Sequence, residues 1–190
     1  VAAFSRGVRR SVQAPLLGHD DYPWLTQVTQ TELISQRVDT RKEVERSVDI
    51  GWLHSEEACL ERIGEAVEKG NCIAWIRNSV DDAIRIYRQL QLSKVVATEN
   101  LLLFHSRFAF HDRQRIESQT LNLFGKQSGA QRAGKVIIAT QVIEQSLDID
   151  CDEMISDLAP VDLLIQRAGR LQRHIRDRNG LVKKSGQDER

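Results

Sequence analysis

Short apolar runs alternate with segments of helical periodicity along most of the chain. Four runs predict short buried strands: CIAWI from Cys72, LLLF from Leu101, KVIIA from Lys135 and EMIS from Glu153. Apolar residues that recur every three or four positions predict helices over 56–69, 80–90, 112–124 and 163–173. Because strands that alternate with helices need crossover connections, the pattern predicts an α/β fold with a mostly parallel sheet and helices on both faces.

The first fifty residues follow a different pattern. Residues 1–30 have no sustained period, and we interpret them as a connector or an incomplete element. Residues 31–53 alternate loosely around a polar turn, which predicts an antiparallel strand pair near the N-terminus. We expect one domain over 31–174, followed by a polar tail over 175–190. Since the first residue is a valine and no signal peptide follows it, we expect the sequence to be a piece of a longer protein.

Composition and charge narrow the class of protein. The 190 residues are 41% hydrophobic and 28% charged, and no apolar run is long enough to span a bilayer. We therefore expect a cytoplasmic protein with no membrane partner. The formal net charge is zero, which excludes a broad basic surface for nucleic acid but allows a local groove. Residues 139–160 contain six acids and no Lys or Arg, whereas residues 161–190 contain eight bases and four acids.

Metal chemistry is not indicated by the sequence. The cysteines Cys59, Cys72 and Cys151 form no C-x-x-C pair, so buried free thiols in a reducing cytosol are expected. The His-Asp doublets at 19–20 and 111–112 have no supporting ligand cluster, and we interpret them as chance neighbours. The sequence therefore predicts no metal site of its own.

The final predicted helix carries the most informative chemistry. In the segment QRAGRLQRH, Arg167, Arg170 and Arg173 recur every three residues, so a helix would present all three on one broad side. Gln166 borders that side. Gly169 would cost roughly 1 kcal/mol against alanine in a helix interior, which suggests close approach of another group. Guanidinium groups suit phosphate, and an arginine supplied to a transferring phosphoryl group can raise the rate by ~10³–10⁵. A solvated helix with ordinary surface ion pairs is the competing interpretation.

Four segments, in order along the chain, resemble motifs of the second RecA-like lobe of superfamily 2 helicases. QRAGRLQR from Gln166 resembles the last signature motif, which supplies arginine fingers, and ATQVIEQSLDID from Ala139 resembles the motif before it. NSVDDA from Asn78 and HSRF from His105 resemble motifs that follow the first two strands of that lobe. The segments ATQVIEQSLDID and DLAPVDLLIQRAGRLQRH together resemble the helicase–nuclease family of type I CRISPR interference, which the Cascade effector complex recruits.

The resemblance implies an ATP-dependent helicase that moves along single-stranded DNA and works with a nuclease domain against foreign DNA. The sequence contains neither a G-x-x-x-x-G-K-[ST] phosphate loop nor a D-E-x-x box after a strand. ATP and Mg²⁺ would therefore be held mainly by a first lobe, and the nuclease metal would also lie outside this segment. The implied partners are single-stranded DNA, the first RecA-like lobe, the His-Asp nuclease domain and Cascade. This lobe alone is expected to be inactive.

Carried over by position, the resemblance assigns roles to individual residues. Arg170 and Arg173 would be the catalytic arginine fingers on the γ-phosphate. Nucleotide contacts are also implied for Asp148, which can meet the ribose, and for Gln166 and Arg167. For Arg167, a support role between motifs and a purely structural ion pair remain open alternatives.

Nucleic-acid contacts are expected at strand ends, where small polar groups are exposed. The predicted residues follow the first three strands of the parallel sheet in pairs: Asn78 and Ser79, Ser106 and Arg107, Thr140 and Gln141. Local loop capping is the alternative explanation for each of them. Two other functions also remain open, namely another superfamily 2 DNA or RNA helicase and a non-catalytic nucleic-acid-binding module derived from such a lobe.

Overall fold

The computed structural model describes residues 24–28, 33–38, 47–145, 147–176 and 180–182. The chain divides into two compact units, Val1–Ser47 and Val48–Arg190. In the first unit, strands β1 (Trp24–Val28) and β2 (Leu33–Arg37) pair in antiparallel register, with Trp24 opposite Arg37.

The antiparallel pair predicted near the N-terminus exists, but it lies earlier than predicted. Strand β1 falls within residues 1–30, which the sequence indicates as a connector or an incomplete element, while residues 48–53 are exposed and form no strand. The stretches WLTQV and LISQR combine branched or aromatic side chains with polar ones, a composition that favours strands. The alternation over 31–53 therefore predicts an antiparallel strand pair that exists, but the predicted boundaries are wrong.

The second unit is an α/β domain in which helices and strands alternate. Its elements are α1 (Glu56–Glu68), β3 (Ile73–Ile76), α2 (Val80–Ser93), β4 (Leu101–Phe104), α3 (Phe110–Phe124), β5 (Val136–Ala139), α4 (Val142–Gln145), β6 (Glu153–Ser156) and α5 (Val161–Ala168). The four strands lie in the order β4-β5-β3-β6, and every neighbouring pair is parallel. The predicted parallel sheet with crossover helices is confirmed.

Local sequence signals set the ends of the first helices. Ser55 caps α1 and accepts a hydrogen bond from the Ala58 N–H at 3.1 Å. Ser79 caps α2 in the same way and accepts from the Asp82 N–H at 3.1 Å. Gly70 follows α1 with a φ of 76°, in the left-handed region that favours glycine. Serine before a helix and glycine after one are the residue types that these positions favour.

Helices cover both faces of the sheet because alternate strand residues point to opposite sides. The cluster that involves α1 and α2 contains Ile63, Ala66, Ile73, Trp75, Ala83, Ile86, Leu90, Val136 and Ile138. The cluster that involves α3 and α4 contains Ala74, Ile76, Phe104, Ile116, Phe124, Ile137, Ala139, Ile143 and Ile149. Each fully buried Ile, Leu or Phe side chain contributes about 1.5–3 kcal/mol to folding, so these two layers hold the strand ends in fixed positions. The three cysteines are buried free thiols, as expected.

The last helix is shorter than predicted. Helix α5 ends at Ala168, and Gly169 is its C-cap, with its N–H donating to the Ile165 carbonyl at 3.0 Å. The backbone then leaves the helix and pairs with a distant segment. The Cys151 N–H donates to the Arg170 carbonyl at 3.0 Å. The prediction of a helix over 163–173 with a glycine in its interior is therefore wrong.

The burial of α5 also differs from the predicted amphipathic pattern. The apolar residues Leu164, Ala168 and Leu171, which recur at helical spacing, are only half-buried, whereas Arg167 is 1% exposed. The residue that anchors α5 to the domain is thus a charged one. No helix within the described ranges is long and apolar enough to cross a membrane.

Candidate functional site

The carboxyl ends of the four parallel strands meet at one edge of the sheet. In the strand register, Ala139 at the end of β5 pairs with Ile76 of β3 and with Phe104 of β4, while Ile76 also pairs with Ser156 of β6. The residues that follow these strands are therefore neighbours in space. All six predicted nucleic-acid residues follow one of these strand ends, so the structure brings them together as the sequence implied.

Asn78 connects three of the strand ends. Its backbone N–H donates to the Asp157 carboxylate at 2.9 Å, and its Nδ2 donates to the Leu158 carbonyl at 2.7 Å, beyond the end of β6. Gln141, after β5, donates from Nε2 to the Asn78 carbonyl at 3.2 Å. Asn78 and Gln141 are both exposed, so they remain accessible to a ligand. Ser79 is half-buried, and its hydroxyl is engaged with Asp82 as the cap of α2.

The loop after β4 has a rigid base and an exposed tip. His105 is 5% exposed, and the Phe108 ring stacks on it with centroids 4.1 Å apart and an angle of 5° between planes. The Arg107 N–H donates to His105 Nδ1 at 3.2 Å, which places the ring proton of neutral His105 on Nε2. Burial lowers the pKa of His105, so the neutral form is favoured. Ser106 and Arg107 are exposed, and the Arg107 guanidinium pairs with the Asp81 carboxylate.

Thr140 does not present its hydroxyl as predicted. The residue is 2% exposed, and its N–H donates to the Phe104 carbonyl at 3.1 Å, which ties the end of β5 to the end of β4. This burial disfavours the side-chain contact to nucleic acid that the sequence predicts for Thr140. The physical reason is that the first residue after a central strand lies under its neighbours, whereas Gln141, one residue further on, is exposed.

The predicted arginine fingers lie after α5 and have different surroundings. Arg170 is half-buried, and its Nη2 donates to the Glu144 carbonyl at 2.8 Å. The Arg173 guanidinium meets Asp148 with an Nη1–Oδ1 distance of 2.8 Å, and the two side chains are 41% and 52% exposed. The structure thus brings together two of the predicted nucleotide residues, Asp148 and Arg173, at an accessible position. Gln166 is exposed on α5.

Arg167 is an internal brace. Its Nε donates to Glu144 Oε1 at 2.7 Å, and the two side chains are only 2% and 3% exposed. Nη1 donates to Ser156 Oγ at 2.8 Å and to the Asp157 carbonyl at 3.1 Å, while Nη2 lies 3.5 Å from Asn78 Oδ1. Its guanidinium is enclosed by these groups, which disfavours the nucleotide contact predicted for Arg167. The open alternative of a support role is the one that its geometry favours.

Sequence reasoning missed a second buried ion pair, Asp150 with Arg176. The Arg176 Nε lies 2.7 Å from Asp150 Oδ2, and the two side chains are 8% and 1% exposed. The signal in the sequence was the spacing, because the three-residue step of the arginines continues from Arg173 to Arg176. Residues 175–190 were interpreted as a polar tail, but Arg176 also forms an antiparallel bridge with Val182. The folded domain therefore extends beyond residue 174.

A third missed charged residue, Arg77, fixes the end of β3. Its Nε donates to Asp157 Oδ2 at 3.0 Å, its Nη1 donates to Glu56 Oε1 at 3.0 Å, and its guanidinium lies 4.9 Å from the centroid of the Trp75 ring. Hydrogen bonds from Arg85, and next from Arg77, lower the pKa of Glu56 to about 2. This network joins the start of α1 to the strand end. Among the described residues, no group of three or more His, Cys, Asp and Glu side chains could hold a metal ion.

Comparisons with known proteins agree with this geometry. The family model described as "CRISPR-associated nuclease/helicase Cas3, C-terminal" matches residues 69–176. A CRISPR-associated nuclease/helicase Cas3 of Streptococcus thermophilus is 38% identical over 160 residues, which make up 84% of this chain and 16% of that protein. The CRISPR-associated endonuclease/helicase Cas3 of Escherichia coli K12 is 42% identical over 117 residues, or 62% of this chain and 13% of that protein. The chain thus spans about a sixth or less of these relatives.

A solved structure is similar as well. The crystal structure of T. fusca Cas3-ATP matches with a TM-score of 0.66 and 36% identity, over 82% of this chain and 20% of that chain. A CRISPR RNA-guided surveillance complex in a pre-nicking state contains a chain that matches with a TM-score of 0.52 and 38% identity, over 69% of this chain and 15% of that one.

Proposed function

Because this chain belongs to the Cas3 family of CRISPR-associated nuclease/helicases, we propose that it serves as the second RecA-like lobe of an ATP-dependent helicase that draws single-stranded DNA towards a nuclease domain. One observation carries the proposal. Arg167 of α5 contacts Glu144, Asp157 and Asn78, and Arg170, just after α5, contacts the Glu144 carbonyl, so the segment with the proposed fingers and the polar strand ends share one frame.

The nucleotide side of the proposal rests on Arg170 and Arg173. The T. fusca structure that this chain resembles is that of Cas3-ATP. Guanidinium groups are suited to the γ-phosphate of a triphosphate. The Arg173 guanidinium forms a surface ion pair with Asp148, a type of contact worth roughly 0–1 kcal/mol, so a triphosphate can compete with that carboxylate. ATP and Mg²⁺ would be held mainly by a first lobe, and Mg²⁺ would neutralise charge on the phosphates.

The DNA side of the proposal rests on exposed polar groups along three adjacent strands. Asn78, Ser106, Arg107 and Gln141 lie beyond the ends of β3, β4 and β5. Amide, hydroxyl and guanidinium donors at successive strand ends form a track for phosphates without a large net charge, in keeping with a formal charge of zero. We refer to these four residues as the strand-end track. Ser79 can contribute through its backbone, since its hydroxyl caps α2.

The proposed partners follow from the relatives. A chain of a CRISPR RNA-guided surveillance complex resembles this one, so the whole protein would be recruited by such an effector complex, Cascade in type I systems. Its nuclease domain would degrade the strand that the helicase delivers. We propose the cytoplasm as the place of this activity.

Finger substitutions in the full-length enzyme test the nucleotide assignment. Arg170→Ala or Arg173→Ala should reduce DNA-stimulated ATP hydrolysis by ~10³-fold or more, while single-stranded DNA binding is retained. Arg115→Ala is the matched control, because Arg115 is 67% exposed and pairs only with the neighbouring Asp112 on α3. Normal turnover by Arg170→Ala would show that the fingers are misassigned and would favour the alternative of a non-catalytic binding module.

Salt titration tests the strand-end track. Each neutralised phosphate contributes about 0.7 to the slope of log K against log salt for a single strand. Arg107→Ala should therefore lower that slope by about 0.7, whereas Ser106→Ala should weaken binding and leave the slope unchanged, because serine carries no charge. Arg115→Ala again serves as the control. An unchanged slope for Arg107→Ala would remove Arg107 from the track.

A further inference from the structure

Asp150 holds the backbone of one proposed finger. The residue is fully buried, and its Oδ1 accepts a hydrogen bond from the Arg173 N–H at 2.8 Å. Its Oδ2 accepts from Arg176 Nε at 2.7 Å. The Asp150 carboxylate therefore connects Arg173, whose side chain is exposed, to Arg176, whose side chain is buried.

Arg176 in turn is fixed by the surrounding backbone. Its Nη1 donates to the Ser128 carbonyl at 2.6 Å and to the Gly180 carbonyl at 2.7 Å. Its Nη2 donates to the Gly125 carbonyl at 3.1 Å. All three guanidinium nitrogens are thus engaged, and the charge is compensated within the protein by Asp150. Burying such a pair costs a large desolvation energy, and hydrophobic residues of similar volume often stabilise a fold equally well. Stability alone therefore does not explain the Asp150–Arg176 pair.

The segment that contains the fingers is aligned by the same stretch of chain. Beyond the end of α5, the Cys151 N–H donates to the Arg170 carbonyl at 3.0 Å, and the Gln172 N–H donates to the Cys151 carbonyl at 2.8 Å. Gln172 has a φ of 42°, which turns the chain so that the Arg173 N–H meets Asp150. The position of Arg173 is therefore set by residues 150–151 and not by helical geometry.

We propose that the buried Asp150–Arg176 pair is a positioning device that places Arg173 for its contact with the nucleotide. This inference rests on the proposed function, in which Arg173 is a finger. Asp150 and Arg176 are positioning residues, since neither is accessible to a ligand. A misplacement of about 1 Å can cost a reaction ~10²-fold, so loss of the pair should lower turnover even though no group that touches the nucleotide is removed.

A double-mutant cycle in the full-length enzyme tests the inference. The variants are Asp150→Asn, Arg173→Ala and the two combined, and the measurements are kcat and KM for DNA-stimulated ATP hydrolysis and the Kd for ADP. Asp150→Asn should lower kcat roughly 10–100-fold and leave ADP binding unchanged, because ADP lacks the phosphate that Arg173 would contact. In the Arg173→Ala background, Asp150→Asn should cause no further loss.

Asp152→Asn is the matched control. Asp152 is also paired with a buried arginine, Arg132, at 3.2 Å, with side-chain exposures of 29% and 7%, but none of its contacts involves the finger segment. This variant should lower the melting temperature without lowering kcat. If Asp150→Asn fails to fold, the pair Asp150→Asn with Arg176→Gln leaves no unpaired buried charge and enters the same cycle.

The outcomes separate the two proposals. Normal turnover by Arg173→Ala would refute the finger assignment itself. Loss of turnover in Arg173→Ala with normal kcat in Asp150→Asn would overturn only the positioning role. If the losses multiplied in the double variant, or if ADP affinity fell in parallel with kcat, Asp150 would be a general structural residue and the inference would also be wrong.

Discussion

Replacing Arg167 by methionine should destabilise the chain by about 3–5 kcal/mol. Methionine keeps most of the side-chain length but removes the guanidinium that pairs with Glu144 at 2.7 Å. The Glu144 carboxylate, 3% exposed, would then be a buried charge without its partner. The hydroxyl of Ser156 and the carbonyl of Asp157 would also lose a donor, at 2.8 and 3.1 Å.

The magnitude follows from burial. Removing one partner of a buried ion pair leaves an uncompensated charge in a medium of low polarity, which costs about 3–5 kcal/mol. For a domain of this size each kcal/mol shifts the melting temperature by roughly 4 °C, so a fall of about 12–20 °C is expected. The control is Arg113→Met, which breaks an i,i+4 pair with Glu117 whose side chains are 36% and 27% exposed, and which should cost less than about 1 kcal/mol.

Chemical and thermal unfolding of the chain, followed by circular dichroism, measure both variants. A loss below about 1 kcal/mol for Arg167→Met would refute the reasoning, because the pair would then behave like a solvated surface contact. The combination Arg167→Met with Glu144→Leu removes both charges and should recover most of the stability. Failure to recover would show that the loss comes from the hydrogen bonds to Ser156 and Asp157, and not from the unpaired carboxylate.

Three further predictions concern pH and domain structure. The pKa of Glu56 is lowered to about 2, mainly by Arg85, so ionised Glu56 stabilises the fold above pH 4.5 and that contribution is lost as pH falls from 4.5 towards 2. In urea unfolding, the free energy of unfolding of Glu56→Gln should therefore depend less on pH over this range. An unchanged dependence would contradict the pairing. Burial lowers the pKa of His105, so its protonation in the unfolded chain opposes folding and stability should fall as pH drops below 6.5. His105→Asn, which can keep the acceptor for the turn, should weaken this dependence without abolishing it, because burial also lowers the pKa of His174. An unchanged dependence would mean that His105 is not responsible. Residues 48–190 should unfold cooperatively without residues 1–47, as measured by calorimetry; a broad, non-cooperative transition would refute their independence.

The sheet could be predicted from the sequence because its information is local. Four apolar runs predict the four parallel strands that the structure has, and Ser79 and Gly70 stand at a helix start and a helix end, where their residue types are favoured. Each of these signals is a short-range effect of side-chain periodicity or backbone preference. The edge at which the polar residues meet then follows from parallel strand order alone.

The end of α5 could not be predicted, because the competing interaction is long-range. Helical periodicity continues formally past Gly169, but the carbonyl of Arg170 accepts from Cys151, which lies nineteen residues earlier in the chain. Nothing local to QRAGRLQRH indicates that partner. The burial of Arg167 was missed for the same reason, since arginines are usually exposed and its partner Glu144 lies on another element.

The uneven charge in the sequence has a structural explanation that connects these errors. Every acid between residues 139 and 160 pairs with an arginine from elsewhere in the chain: Glu144 with Arg167, Asp148 with Arg173, Asp150 with Arg176, Asp152 with Arg132, Glu153 with Arg62 and Asp157 with Arg77. The six ion pairs differ in how deeply their side chains are buried. Arg167 and Arg176 meet carboxylates that are only 3% and 1% exposed and act as braces, whereas Arg173 meets Asp148, which at 52% has the most exposed side chain of the six. At that solvated pair a phosphate can replace the carboxylate at small cost, so Asp148→Ala should preserve stability. A loss of several kcal/mol in unfolding experiments would show that Arg173 too is a brace.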